Sequence, residues 1–173
     1  MGKTKHTFRE NTSTSDPEYV SRRLHKFSDK WIELLGEKEK RMENGYPVVR
    51  IKEGEEGEIG PQLEAFRELF ERLAYGERSN YGKKLGLFSG YVHLLENLVN
   101  GVKMKAEKEL YKFEEESVKK GIFGRISDWL YRKIMLRPGT PGWYDMVRDL
   151  AGRTLAEIDE AKRIVEEKFE ARL

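Results

Sequence analysis

Apolar residues recur along most of this chain at helical spacing. Val20, Leu24, Phe27, Trp31, Leu34, Leu35 and Met42 follow one another in steps close to three and four, the stripe of an amphipathic helix in a bundle. Ser15-Asp16-Pro17-Glu18 supplies a start: a capping side chain, a proline tolerated in the first turn and an acid at the positive end of the dipole. Asn44-Gly45 supplies a stop, so the first helix is predicted to run to about that point. Tyr46-Pro47-Val48-Val49-Arg50-Ile51 then breaks the period, and Glu53–Gly60 is rich in glutamate and glycine. A small hairpin and a loop both fit residues 45–60, and a hairpin there must pack on helices.

Pro61 opens a second helix to about Tyr75, with Leu63, Phe66, Leu69, Phe70 and Leu73 inward. After a turn at Gly76–Asn80 the apolar positions resume and reach about Lys120. Gly121 and Gly124 mark a break before a helix ending near Leu136. Arg137-Pro138-Gly139-Thr140-Pro141-Gly142 reads as a rigid connector, with Thr140 as the cap of the last helix. That helix is predicted from Pro141 to the C-terminus. Val147, Leu150, Thr154, Ile158, Ala161, Val165 and Phe169 form its stripe with an eleven-residue repeat, which favours a nearly straight seam; a heptad register through Ala151 fits as well. A helix this long is stable only when its stripe is buried. Val147, Leu150, Ile158, Ala161, Val165 and Phe169 are therefore expected to meet either the first helix or a second copy of the chain, and the latter predicts a homodimer through the C-terminal helix.

The fold expected is all-α: about five helices in a bundle-like arrangement with long first and last members and a small loop or hairpin at 45–60. Residues 1–14 are polar, basic and aperiodic, and read as a mobile tail; residues 15–173 read as a single helical domain.

Composition narrows the function classes. The chain of 173 residues has a net charge of +2, and 37% of its residues are charged, so it is not a generally basic nucleic-acid coat. The absence of cysteine excludes disulfides, thiol chemistry and Cys-ligated metals. Abundant Lys and Glu give it a thermophile-like composition. No apolar leader or membrane-length run occurs, which leads to the expectation of a cytoplasmic protein with no transmembrane segment. Charge is uneven: residues 53–79 hold eight Glu against three Arg, and residues 119–137 hold six Lys or Arg against one Asp.

Catalytic and metal signatures are lacking. His6, His25 and His93 lie far apart, so no His-x-x-x-His zinc pair forms, and no Glu-x-x-His di-iron pattern occurs. Gly76 to Lys84 has the wrong spacing for a phosphate loop, with a lysine where the magnesium-binding hydroxyl belongs. No Gly-x-Ser-x-Gly is found. No enzyme activity, metal or cofactor is expected. The helix at 122–136 is amphipathic and basic: Ile122, Phe123, Ile126, Trp129, Leu130 and Ile134 share a face flanked by Arg125 and Arg132. Such a face suits an anionic membrane or phosphates, but is expected here to face the core with a wet basic flank.

One segment points to a specific activity. In residues 78–97, Gly82 and Gly86 stand four apart, as a small residue at a helix crossing and a turn residue would. Tyr81, Leu85, Leu87, Val92 and Leu95 take the inward places. The run Lys83-Lys84-Leu85-Gly86-Leu87, Tyr91-Val92, Leu95-Glu96-Asn97 resembles the lambda-repressor-like helix-turn-helix family. The resemblance implies a non-enzymatic protein binding duplex DNA, with Arg78, Lys83 and Lys84 on phosphates and Ser89, His93 and Asn97 toward base edges. The competing reading is one uninterrupted amphipathic helix whose broad apolar face meets two neighbours. It goes with a helical assembly or adaptor protein acting through protein–protein contacts, with no nucleic-acid role.

Overall fold

The chain starts its first helix where the Ser-Asp-Pro-Glu signal places it. Asp16 accepts the Glu18 N–H through its side chain at 3.0 Å and the Val20 N–H through its carbonyl. The computed structural model describes residues 16–35, 42–43, 46–47, 59–76, 81–134 and 138–173, with backbone alone at 42–43, 46–47 and 131–134. Its elements are α1 (Pro17–Leu35), a two-residue pair β1 (Met42–Glu43) and β2 (Tyr46–Pro47), α2 (Ile59–Tyr75), α3 (Tyr81–Lys119), α4 (Gly121–Ile134) and α5 (Pro141–Phe169). The architecture is thus all-α and bundle-like. The tail expected at 1–14 lies outside the described residues, as does most of 45–60.

Two boundaries differ from expectation. Helix α1 ends at Leu35, and Met42 belongs to β1 rather than to the helical stripe. Met42 pairs with Pro47 and Glu43 with Tyr46, antiparallel, which leaves Asn44-Gly45 as the two residues between paired strands. Asn44-Gly45, expected to stop the helix, lies outside the described residues. The second difference is α3, which is a single helix of 39 residues, about 58 Å long at ~1.5 Å per residue. Gly86 lies inside it.

The core is shared by α1, α2, α3 and α5. Trp31 of α1 is fully buried, and its indole N–H donates to Thr154 Oγ1 of α5 at 2.9 Å. Thr154 in turn donates to the Leu150 carbonyl at 2.7 Å, so a buried polar chain joins the first helix to the last. Where α1 crosses α2, Ser28 donates to the Gly60 carbonyl at 2.7 Å. A Cβ at Gly60 would stand 3.0 Å from the Ile32 backbone nitrogen and from the Ser28 carbonyl, so the crossing requires glycine. Phe66 of α2 stacks on Phe88 of α3 at 5.0 Å, and Tyr81 of α3 on Phe169 of α5 at 5.2 Å. Lys168 of α5 donates to the carbonyls of Leu73, Ala74 and Gly76, placing a cation on the unpaired carbonyls that end α2.

Helix α5 begins as expected. Thr140 caps it by accepting the Trp143 N–H, Pro141 follows at the first helical position, and Glu170 closes it in the left-handed region. The break between α3 and α4 is made by Gly121, whose φ is +71°, a conformation that side chains disfavour. Gly124, expected to share in that break, lies within α4.

The glycines at 60 and 86 have opposite environments, and substitution separates them. Gly60→Ala is expected to lower stability by about 1–3 kcal/mol through overpacking. Gly86→Ala, on a helical face with nothing within 4 Å of an added Cβ, is expected to raise it by up to ~1 kcal/mol. Urea midpoints check both. A destabilised Gly86→Ala would restore the turn that the helix-turn-helix resemblance requires.

Candidate functional site

Five of the six residues expected to contact DNA share one continuous helix. Lys83, His93 and Asn97 are exposed on α3, and Lys84 and Ser89 are half-buried; Arg78 lies outside the described residues. No turn separates a positioning helix from a recognition helix, because α3 runs unbroken from residue 81 to 119. The two-helix geometry of the lambda-repressor-like resemblance is therefore not formed. The physical reason is the apolar stripe: Leu85, Phe88, Tyr91, Val92, Leu95, Val99, Val102, Ala106 and Leu110 stay buried along the whole segment, and a turn at Gly86 would put the first of them out of register with the rest. Gly82, Gly86, Gly90 and Gly101 mark no close crossing either, since space around each is open.

The stripe expected to form a dimer is also placed otherwise. Val147, Leu150, Ile158, Ala161 and Val165 are buried within the chain, and Phe169 packs against the same core. The stripe meets α1 and α3 of its own chain. The residues named for that seam are thus covered inside the chain.

Two hollows concentrate polar groups or aromatic side chains. Between α1 and α2 lies a groove of about 610 Å³ lined by Glu18, Ser21, Arg22, His25, Arg67, Glu71 and Tyr75. Its groups are tied to one another. Ser21 donates to Glu71, Arg67 bonds Glu64 and Glu71, and His25 Nδ1 lies 3.0 Å from Glu64. Burial would raise the Glu64 carboxyl, but the hydrogen bonds from Arg67 and His25 outweigh it and hold the group below its ordinary value. Acids and bases are matched in number, so the groove is an interhelical ion-pair network more than a ligand site. The second hollow, about 440 Å³, lies between α3 and α5 and is lined by Leu35, Val102, Ala106, Trp143, Tyr144 and Val147 with Lys105, Lys108 and Glu109. Glu109 is bonded to Lys112 at 2.8 Å, and no nucleophile and base converge there. Among the described residues no group of three or more His, Asp or Glu is arranged to hold a metal.

The surface that departs most from ordinary folding physics is α4. The expectation was a helix packing its apolar face on the core. Instead Ile122 is 74% exposed, Phe123 88% and Trp129 54%, with Ile126 and Leu130 also exposed. Among the described side chains of α4, Gly124 and Asp128, on the opposite edge, are the half-buried positions, and α4 contacts α3 and α5. The orientation has local causes. Gly121 in the left-handed region sets the direction of the chain. At Gly124 only a hydrogen fits against the Lys120 side chain. Lys120 Nζ then meets Asp128 at 3.4 Å across the junction. The polar edge is thereby held inward, and the apolar face is turned to solvent. Sequence periodicity found the face but not its direction; the run of basic residues flanking it, with Trp at the border, was the available signal.

The class defined by this fold is an all-α bundle with one outward-facing amphipathic helix. No family model, no curated protein and no solved structure matches the chain. Among the described residues no helix is long and apolar enough to cross a membrane.

The Glu64 network gives a pH dependence with a definite sign. A carboxyl held low in the folded state stabilises above the unfolded carboxylate pKa, and that contribution is lost as pH falls through the folded value. Glu64→Gln is expected to lower the melting temperature at pH 7 and to flatten its decline between pH 5 and 3. Thermal melts across that range check it; an unchanged acid limb would remove Glu64 from the account.

Proposed function

We propose that this chain is a non-enzymatic docking protein, a helical frame that presents α4 to a partner. The reading develops the assembly or adaptor alternative drawn from the sequence. One observation carries it: the apolar face of α4 is turned away from the core, with Phe123 88% exposed. Contiguous apolar patches with a charged rim mark binding surfaces. The DNA-binding reading loses its support once residues 81–97 lie on one helix. The homodimer reading loses its support once the α5 stripe is internal.

A neutral solvatochromic dye such as Nile red tests the exposure in the full-length chain. Wild type is expected to enhance dye emission, and Phe123→Ser with Trp129→Ser to lose most of the enhancement without a change in melting temperature. Met104→Ser, at an exposed position on α3, serves as the control and is expected to behave like wild type. A silent wild type would mean that the face is covered in solution and would end the docking reading.

A further inference from the structure

Resting on the docking reading, we infer that the occupant of the α4 face is the surface of an anionic phospholipid bilayer, on which the helix lies without crossing.

The face has the form that an interface-lying helix requires. Ile122, Phe123, Ile126, Trp129 and Leu130 are exposed together on one side of a 14-residue helix, and an apolar side of this kind can sink about 5–10 Å into the headgroup region. Trp129 falls at the border between that side and Arg125 when α4 is stepped at 100° per residue, the position that an amphipathic ring takes between acyl chains and water. The convex apolar face of a helix fits a plane. The apolar core of a protein partner would instead need a groove to receive it.

The described charges next to the face are basic apart from Asp128. Lys119, Lys120, Arg125, Arg132, Lys133 and Arg137 all belong to residues 119–137. Lys119, Lys120 and Arg125 are exposed. Asp128 is the sole acid of that stretch. It is half-buried on the edge toward the body, where Lys120 meets it. The acidic run Glu114-Glu115-Glu116 lies on α3, beyond the Lys119-Lys120 pair. Basic residues near an anionic leaflet each add about a fivefold gain in partitioning. A second copy of the chain would bring two basic rims together, so charge disfavours α4 pairing with itself.

The test floats the full-length protein with vesicles of phosphatidylcholine alone or phosphatidylcholine with phosphatidylglycerol, at about 50 mM and higher salt. Binding to the anionic vesicles is expected, with loss as salt shortens the screening length. The three tryptophans are Trp31, Trp129 and Trp143. A blue shift of emission on binding should vanish in Trp129→Phe while flotation persists. Phe123→Ser with Trp129→Ser should lower partitioning at least tenfold, and Arg125→Glu on the order of tenfold. No flotation with anionic vesicles, while Nile red still reports an exposed face, would overturn the lipid inference and leave the docking reading standing. Equal binding to neutral vesicles, or flotation that the Phe123/Trp129 variant does not weaken, would also overturn it. So would a dimer by sedimentation equilibrium that the same variant dissolves, since a second copy would then cover the face.

Discussion

The hydrogen bond from Trp31 to Thr154 fixes what every other helix can do. It joins residues 123 positions apart in sequence, both without exposed surface. A buried indole N–H left without an acceptor would cost roughly 1–3 kcal/mol, so α1 and α5 are held in one register. Thr154 can accept that bond because its own hydroxyl hydrogen goes to the Leu150 carbonyl in the preceding turn. With that register set, Arg23 of α1 meets Glu157 one turn further along α5. Burial pushes the Glu157 carboxyl above its ordinary value even beside the guanidinium. The Arg23 group also lies over the Tyr19 and Phe27 rings, so the contact between these helices is part packing and part charge.

The docking of α5 on α1 and α3 explains why α5 is not available to others. Its eleven-residue stripe is straight enough to stay in contact with two neighbours over its length, and Phe169 still finds Tyr81 near the far end. Lys168 then ties that end to the carbonyls finishing α2. The stripes of α1 and α5, and that of α3 as far as Leu110, are thus covered inside the chain. Among the described residues the apolar face of α4 is instead exposed as a group.

Much of the architecture was legible in the sequence. Period and capping residues placed α2, the single extent of the competing α3 reading, and the start of α5, because these depend on interactions within a few residues; the helix ends at Phe169, short of the C-terminus expected for it. Thr140 and Pro141 specify a helix start whatever lies nearby. What was not legible depends on neighbours. The apolar period carries Met42 as a helical position, and only its pairing with Pro47 takes it into a strand. Gly86 and Gly121 look alike in sequence, yet one continues a helix and the other turns at φ +71°. The difference is the buried stripe that runs through residue 86 and stops before residue 121. The same limit applies to the two apolar faces. Periodicity identified the stripes of α4 and α5 correctly but assigned α4 to the core and allowed α5 a partner, and the structure places them the other way.

That exchange bears on what α4 can be. Burying a large apolar side chain yields about 1.5–3 kcal/mol, and a helix of 14 residues is marginal when it stands by itself. The chain forgoes that gain on five side chains, and a left-handed glycine and the Lys120–Asp128 contact stand at the junction that turns the polar edge inward. A fold that merely lacked space could instead have replaced these residues with polar ones at no cost to α4's own helicity. Retaining Phe123 and Trp129 outside is consistent with a face completed by another surface, and completion would stabilise the helix that presents it. On the proposed reading, docking would then also stabilise α4: the apolar gain withheld from folding would be released on binding.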